Sequence, residues 1–281
     1  PEAKRTKDIQ PMEYFDQGWG RILYRTKLSP SQKKRKLIIT DVHDYALVYI
    51  NRKLVGKIDR RIKGNELLLP PVSATAQLDI LIETEGRVNY GEGIIDRKGI
   101  TEKVELLDGD SKQELKDWHV YNMPVDYNFQ KEKKYSNETS SGPGWYRSSF
   151  NLKQTGDTYL DMTGWGKGMV WVNGYNLGRF WNIGPVQTLY VPGCWLKEGD
   201  NEVIVMDVLG TEKKSLQGIA TPILDKIVLD ESLLHRKAGQ QLDLANARII
   251  SQGEIPAGND WKEISFDKSY KGRYFCLEAI S

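Results

Sequence analysis

The sequence predicts an all-β protein of two tandem jelly-roll sandwiches followed by a partial third β-sandwich region. Three observations carry that expectation. The chain repeats itself at a fixed offset: Tyr24 and Tyr146, Arg25 and Arg147, Asn51 and Asn173, Gly56 and Gly178, and Pro70 and Pro192 are each 122 positions apart. An offset held over about 47 residues means one structural unit used twice, and a period this long marks a duplicated domain rather than a solenoid repeat. The apolar segments are short and bounded by turn residues, as strands are. Finally, no segment carries a helical stripe, apart from a turn or two near Asp230 to Arg236.

Taken in chain order, residues 1–13 read as a leader. The first sandwich is expected over 14–115, with strands at Leu37-Ile38-Ile39 and Leu78-Asp79-Ile80-Leu81-Ile82 and a turn signal at Asp108-Gly109. A polar linker, Lys131 to Gly144, falls inside the next stretch. The second sandwich is placed at 116–228, with Trp118-His119-Val120-Tyr121 as its lead-in strand and Glu202-Val203-Ile204-Val205-Met206 deeper inside. Asn173-Gly174 supplies the two positive-φ positions of a type I′ hairpin, whereas Asn51-Arg52 in the first copy is a poorer turn. Residues 229–281 form the third region, which alternates weakly, as in Trp261-Lys262-Glu263-Ile264-Ser265-Phe266. The chain opens at Pro1 and stops just after a strand-like run, so a piece of a longer protein is expected.

Composition narrows the functional classes. With 281 residues, 39% hydrophobic and 10% aromatic, the chain can fill two cores. A net charge of +2 without arginine-rich helices argues against nucleic acid, and no apolar run approaches the roughly 20 residues that span a bilayer. Cys194 and Cys276 form no CxxC, and His43, His119 and His235 are scattered, so no metal centre or cofactor is expected.

Several long, ordered motifs resemble the C-terminal β-domains of family 35 glycoside hydrolases, the β-galactosidases. They are Gly18-Trp19-Gly20-Arg21-Ile22-Leu23-Tyr24-Arg25-Thr26, then Gly86-Arg87-Val88-Asn89-Tyr90-Gly91 with Asp96-Arg97-Lys98-Gly99-Ile100, then Gly164-Trp165-Gly166 through Val172-Asn173-Gly174 to Leu189-Tyr190-Val191-Pro192. The likeness covers about 14–228 and implies galactose-binding-like jelly rolls. The tail, Trp261 to Ala279, is similar to part of a discoidin-type (F5/8 C) sandwich. The resemblance implies a parent that hydrolyses terminal β-galactosides with retention, periplasmic or secreted, with the catalytic glutamates on a TIM barrel that precedes these domains. Such a barrel needs about 250 residues of alternating strand and helix, and that alternation is not found here. No position here inherits a catalytic role, and this chain alone is expected to be inactive, with that barrel as its partner.

Two candidate sites remain. By resemblance, the loop carrying Asn89 and Tyr90 faces the barrel near the substrate entrance, where Tyr90 contacts the aglycone side of a galactoside. The aromatic cluster of the second copy admits two readings. Trp165, Tyr175, Asn176, Arg179 and Trp181 would suit a carbohydrate site, because sugar C–H faces stack on aromatic rings while Asn and Arg bind hydroxyls. The same residues would also serve core packing and inter-domain docking. Trp171 alternates with Val170 and Val172, so one face of that run must be core.

Overall fold

The computed structural model describes residues 2–62, 64–131, 134–136, 143–210 and 215–226. The third region expected at 229–281, with its discoidin-like tail, lies outside them, as does most of the polar linker after Lys131. All of the described residues fall in one compact unit. The only α-helix among the described residues is Tyr127–Lys131 (α1).

The first sandwich pairs two antiparallel sheets. Its strands are β1 (Lys4–Thr6), β2 (Arg21–Leu28), β3 (Arg35–His43), β4 (Tyr45–Ile50), β5 (Lys53–Asp59), β6 (Glu66–Leu69), β7 (Ala76–Glu83), β8 (Gly99–Asp108), β9 (Ser111–Glu114) and β10 (Trp118–Met123). One sheet has the order β1-β10-β2-β7-β4-β5 and the other β6-β3-β8-β9. The second sandwich uses β11 (Gly144–Leu152), β12 (Thr158–Asp161), β13 (Lys167–Val172), β14 (Tyr175–Trp181), β15 (Thr188–Val191), β16 (Gly199–Asp207) and β17 (Gly218–Ile219). Its sheets run β11-β16-β13-β14 and β15-β12-β17.

The orders β2-β7-β4-β5 and β11-β16-β13-β14 are the same topology, as are β6-β3-β8 and β15-β12-β17. Strands β4, β5 and β6 begin and end 122 positions before β13, β14 and β15. Both hairpins carry a register shift at equivalent places, Val48/Tyr49 and Val170/Trp171. The turns also match: φ is 48° and 70° at Asn51-Arg52, and 48° and 87° at Asn173-Gly174. Arg52 therefore adopts the conformation expected only of glycine. The reason is local. Asn51 donates its N–H to the Gln77 carbonyl and accepts the Gln77 N–H on Oδ1, both at 2.9 Å, and Asn173 does the same with Glu202 at 3.0 and 2.9 Å. Each asparagine ties its hairpin tip to the neighbouring strand, which offsets the cost of positive φ.

Two boundaries differ from the sequence expectation. Trp118–Met123 does not lead into the second sandwich; it pairs with β2 and with β1 in the first. Trp118 is fully buried, donates its indole N–H to the Leu115 carbonyl at 3.1 Å and meets Tyr24 edge-on at 6.4 Å. Nor are residues 1–13 a leader: Lys4–Thr6 extends the sheet, and Ile9 and Met12 lie in the core. Alternation identifies these as strand or core residues, but the partner of a strand is a non-local property that alternation does not encode.

Strand periodicity then sorts the apolar residues. In β4, Ala46, Val48 and Ile50 face the first core, while Tyr45, Leu47 and Tyr49 point the other way. In β13, Val170 and Val172 face the second core, while Met169 and Trp171 point outward. The outward sets meet one another, with Leu81, Ile204, Met206 and Val208, in a third apolar cluster between the sandwiches. Leu47 and Met169, Tyr49 and Trp171, and Leu23 and Trp145 are repeat equivalents, so the two copies pack by the same face. If Trp118 belongs to the first core, Trp118→Ala will cost about 3–5 kcal/mol in urea unfolding. In hydrogen exchange, β2 amides will lose protection before those of β16.

Candidate functional site

The loop after β7, residues 84–98, is fixed at its base by charge. Asp96 is fully buried; its carboxylate accepts from Val88 N–H at 3.0 Å, Lys98 Nζ at 2.9 Å and Arg60 at 2.9 Å, and faces His43 Nδ1 at 2.8 Å. Lys98, buried too, also donates to Asp44 at 2.7 Å and to the Gly86 carbonyl at 2.9 Å. Arg87 spans the loop, donating to the Asp96 carbonyl, the Gly18 carbonyl and Glu13 at 2.5–2.6 Å. His43, Asp44 and Asp96 together have a metal-like donor set. Two resident cations, Lys98 and Arg60, already bind these carboxylates, so the residues do not fit a metal. Burial alone would raise the Asp96 pKa, but the Lys98 ammonium, the Val88 N–H and the Arg60 guanidinium hold it well below the ordinary carboxylate range.

What this base holds up is apolar and bare. Tyr90 is 90% exposed, Ile95 83% and Ile94 61%. Tyr14 and Trp19 are also exposed, next in sequence to the Glu13 and Gly18 that Arg87 binds. Asn89 is exposed beside Tyr90. A patch of large apolar side chains on a firmly anchored loop is a contact surface in form.

The five residues considered for sugar binding are not gathered in one place. Trp165 is buried in the second core, its indole N–H donating to the Ser215 carbonyl at 3.0 Å and its ring against Tyr146 and Phe180, away from Tyr175 and Asn176 on the outer hairpin. Trp181 and Arg179 sit at the seam between the sandwiches. There the ammonium of Lys167, 2% exposed, binds the carboxylates of Glu83 and Glu85 and lies 4.4 Å from the Trp181 ring. Arg179 approaches the same two carboxylates at 3.6 and 3.4 Å, Arg61 lies 4.0 Å over Trp181, and Tyr45 meets Trp181 edge-on at 5.8 Å. Arg21, opposite Glu83 in the β2–β7 register, is pushed down to about 10 by burial, which Glu83 only partly opposes. Tyr175 and Asn176 remain outside, on the β13–β14 hairpin. Asn176 is spent on its own turn, accepting the Gly178 N–H at 2.7 Å. Tyr175 stacks on Trp195 at 4.7 Å and 10°.

A cavity of about 870 Å³ opens into the second sandwich. It is lined mainly by that sandwich's own core, including Phe150, Leu160, Trp165 and Val203, and carries one carboxylate, Asp157. Sequence reasoning missed Lys167, Glu83 and Glu85 as a group; a lysine inside the apolar run Gly166 to Val172 was the signal available.

Residues 10–124 match the family described as β-galactosidase, first all-beta domain, and residues 143–201 match β-galactosidase, galactose-binding domain. The chain carries two β-domains of the β-galactosidase type. Among curated relatives it is 39% identical over 183 residues to a β-galactosidase of Xanthomonas manihotis, covering 65% of this chain and 30% of that protein. It is 38% identical over 198 residues to β-galactosidase-1-like protein 2 of Homo sapiens (68% and 30%), and 35% identical over 228 residues to β-galactosidase 1 of Dictyostelium discoideum (72% and 33%). The chain thus spans about a third of the length of these relatives. The first family match ends at 124, just after β10, in agreement with the strand pairing. No helix among the described residues of this β-galactosidase-type chain is long and apolar enough to cross a membrane.

The depressed Asp96 carboxyl gives a signed pH dependence. An unfolded Asp takes up its proton near pH 3.9, while the folded one resists, so its contribution is full above about pH 4–5 and is lost as pH falls. Asp96→Asn should cost about 3–5 kcal/mol at pH 7, as breaking a buried ion pair does. The gap to wild type in urea unfolding should narrow steadily at pH 3 and below; an equal gap at both pH values contradicts this assignment.

Proposed function

We propose that this chain is the non-catalytic β-domain pair of a β-galactosidase, and that it braces a catalytic (β/α)₈ barrel and shapes the rim of its cleft. The observation that carries the reading is the anchored loop that exposes Tyr90, Ile94 and Ile95, tied through Arg87 to a segment that exposes Tyr14 and Trp19. Loops that contact a ligand or partner are useful when a rigid scaffold positions them, and the Asp96–Lys98–Arg87 base supplies that rigidity. The curated relatives are larger β-galactosidases, which supports a parent-chain barrel as the partner and terminal β-galactosides as the substrate. In this reading hydrolysis belongs to the part of the parent outside this chain, and the parent acts in the periplasm or outside the cell.

Tyr90 and Asn89 form the part of the patch nearest the substrate entrance, and Tyr90 touches the leaving-group side of the galactoside. The test compares this chain with the longer product of its reading frame on a chromogenic β-galactoside. Only the longer protein should turn over; turnover by this chain alone would overturn the assignment. In the longer protein, Tyr90→Ala should raise KM about three- to tenfold with kcat nearly unchanged, the loss of roughly 1 kcal/mol of uniform binding.

A further inference from the structure

The second sandwich lacks the strand that closes the first. In the first, β10 pairs with the edge of β2, β1 pairs with β10, and Trp118 and Val120 of β10 reach into the core. The repeat equivalent of β2 is β11, and it stands at the end of its sheet, in the order β11-β16-β13-β14. Tyr146, Ser148, Phe150 and Leu152 of this edge strand line the cavity that opens into the second sandwich. We propose that a second copy of this chain pairs with that edge, β11 against β11 about a two-fold axis, which joins two four-stranded sheets into one.

The backbone presents the row of groups that such pairing uses. Asn173 donates its N–H to the Glu202 carbonyl at 3.0 Å and accepts the Glu202 N–H on Oδ1 at 2.9 Å, so Glu202 directs both backbone groups away from β11. Backbone direction alternates along a strand, so Val203 and Val205 face β11 and bond Ser148 and Tyr146 opposite them. Trp145, Arg147, Ser149 and Asn151 therefore turn their N–H and C=O groups outward, and among the described residues those groups have no backbone partner. The edge carries none of the usual protections against pairing. Its register against β16 runs from Gly144 to Leu152 without a bulge, and it contains neither Pro nor Lys.

The side chains select the partner and the register. With Ser148 on the axis, all nine residues of β11 are paired and the outward-facing residues oppose one another, as hydrogen-bonded pairs must. Arg147 then meets the partner's Ser149, and Trp145 meets the partner's Asn151. Tyr146 meets the partner's Phe150 in a non-hydrogen-bonded pair, where side chains approach more closely and aromatic pairs are favourable. Arg147 is the one charged residue in the strand, and this register keeps it away from its own copy. Moving the axis to Arg147 would set like charges directly opposite each other, which is destabilising. Each sheet then continues past β11, as β10 continues the first sheet past β2.

The experiment is sedimentation equilibrium of this chain from about 1 to 100 μM, where a monomer–dimer equilibrium with Kd on the order of 10 μM is expected. Ser149→Pro removes an outward N–H, and an edge strand accommodates proline where its N–H faces solvent. It should weaken the dimer at least about tenfold while Tm stays near the wild-type value. Ser148→Cys, made with Cys194→Ser and Cys276→Ser, reads the register independently. The axis sets the two copies of residue 148 at roughly 4.5 Å between Cα atoms, within disulfide reach, so oxidation should give a covalent dimer that a reductant separates. Asn151→Cys in the same background faces the partner's Trp145 and should stay uncrosslinked. A chain that is monomeric throughout, a dimer that Ser149→Pro leaves unchanged, or equal crosslinking at 148 and 151 overturns the proposal. A dimer lost in Tyr90→Ala instead also overturns it and assigns self-association to the first-sandwich loop.

Discussion

The architecture depends on one buried lysine. Lys167 opens β13 in the second sandwich, and its ammonium crosses the seam to Glu83 and Glu85 of the first. A buried cation is costly unless it is fully partnered. Here two carboxylates and the nearby Trp181 and Tyr45 rings supply the partners, and those rings are themselves part of the seam. The group works only if both sandwiches hold their relative position. Apolar contact between Leu47, Leu81, Met169, Trp171 and Met206 provides the non-directional attraction, and the ion cluster selects one orientation.

The repeat explains why such a seam exists. A sheet that buries one face in its own core leaves the other for solvent or for a partner. Here equivalent outer faces of two copies cover each other, so β4 and β13 are apolar on both sides. That is why Lys167–Val172 is buried at every residue, a pattern ordinary in a central strand of a layered assembly and unusual in an isolated sandwich. The copies differ at the seam, where Lys167 stands at the position equivalent to Tyr45, and away from it. The first added β1, β9 and β10 and a charged base under the loop of Tyr90, while the second placed aromatic residues around the tip of its second hairpin.

Much of this was legible in the residues. The 122-residue offset located the hairpins and the strands of the duplicated unit, because turn residues and alternating apolar positions are local signals. The motifs around Arg87 and Asp96 to Lys98 were visible, and their role as anchors became apparent only from the contacts. Three things were not legible. The sheet joined by Trp118–Met123 is set by pairing with β2, about a hundred positions earlier. The fate of Trp165 and Trp181, one in a core and one in the seam, depends on which face another layer covers, and an aromatic residue suits sugar, core and interface equally well in sequence. The turn at Asn51-Arg52 reads as weak because its support comes from Gln77, outside the hairpin.

The most direct measurement is a double-mutant cycle across the seam, with Lys167→Met, Glu83→Gln and the pair, in urea unfolding at neutral pH. If the buried ion cluster couples the sandwiches, the two changes will interact by about 1–3 kcal/mol, as contacting residues do. Effects that add to within about 0.5 kcal/mol would mean that the sandwiches are stabilised independently, and the seam would not be the constraint on which the fold rests.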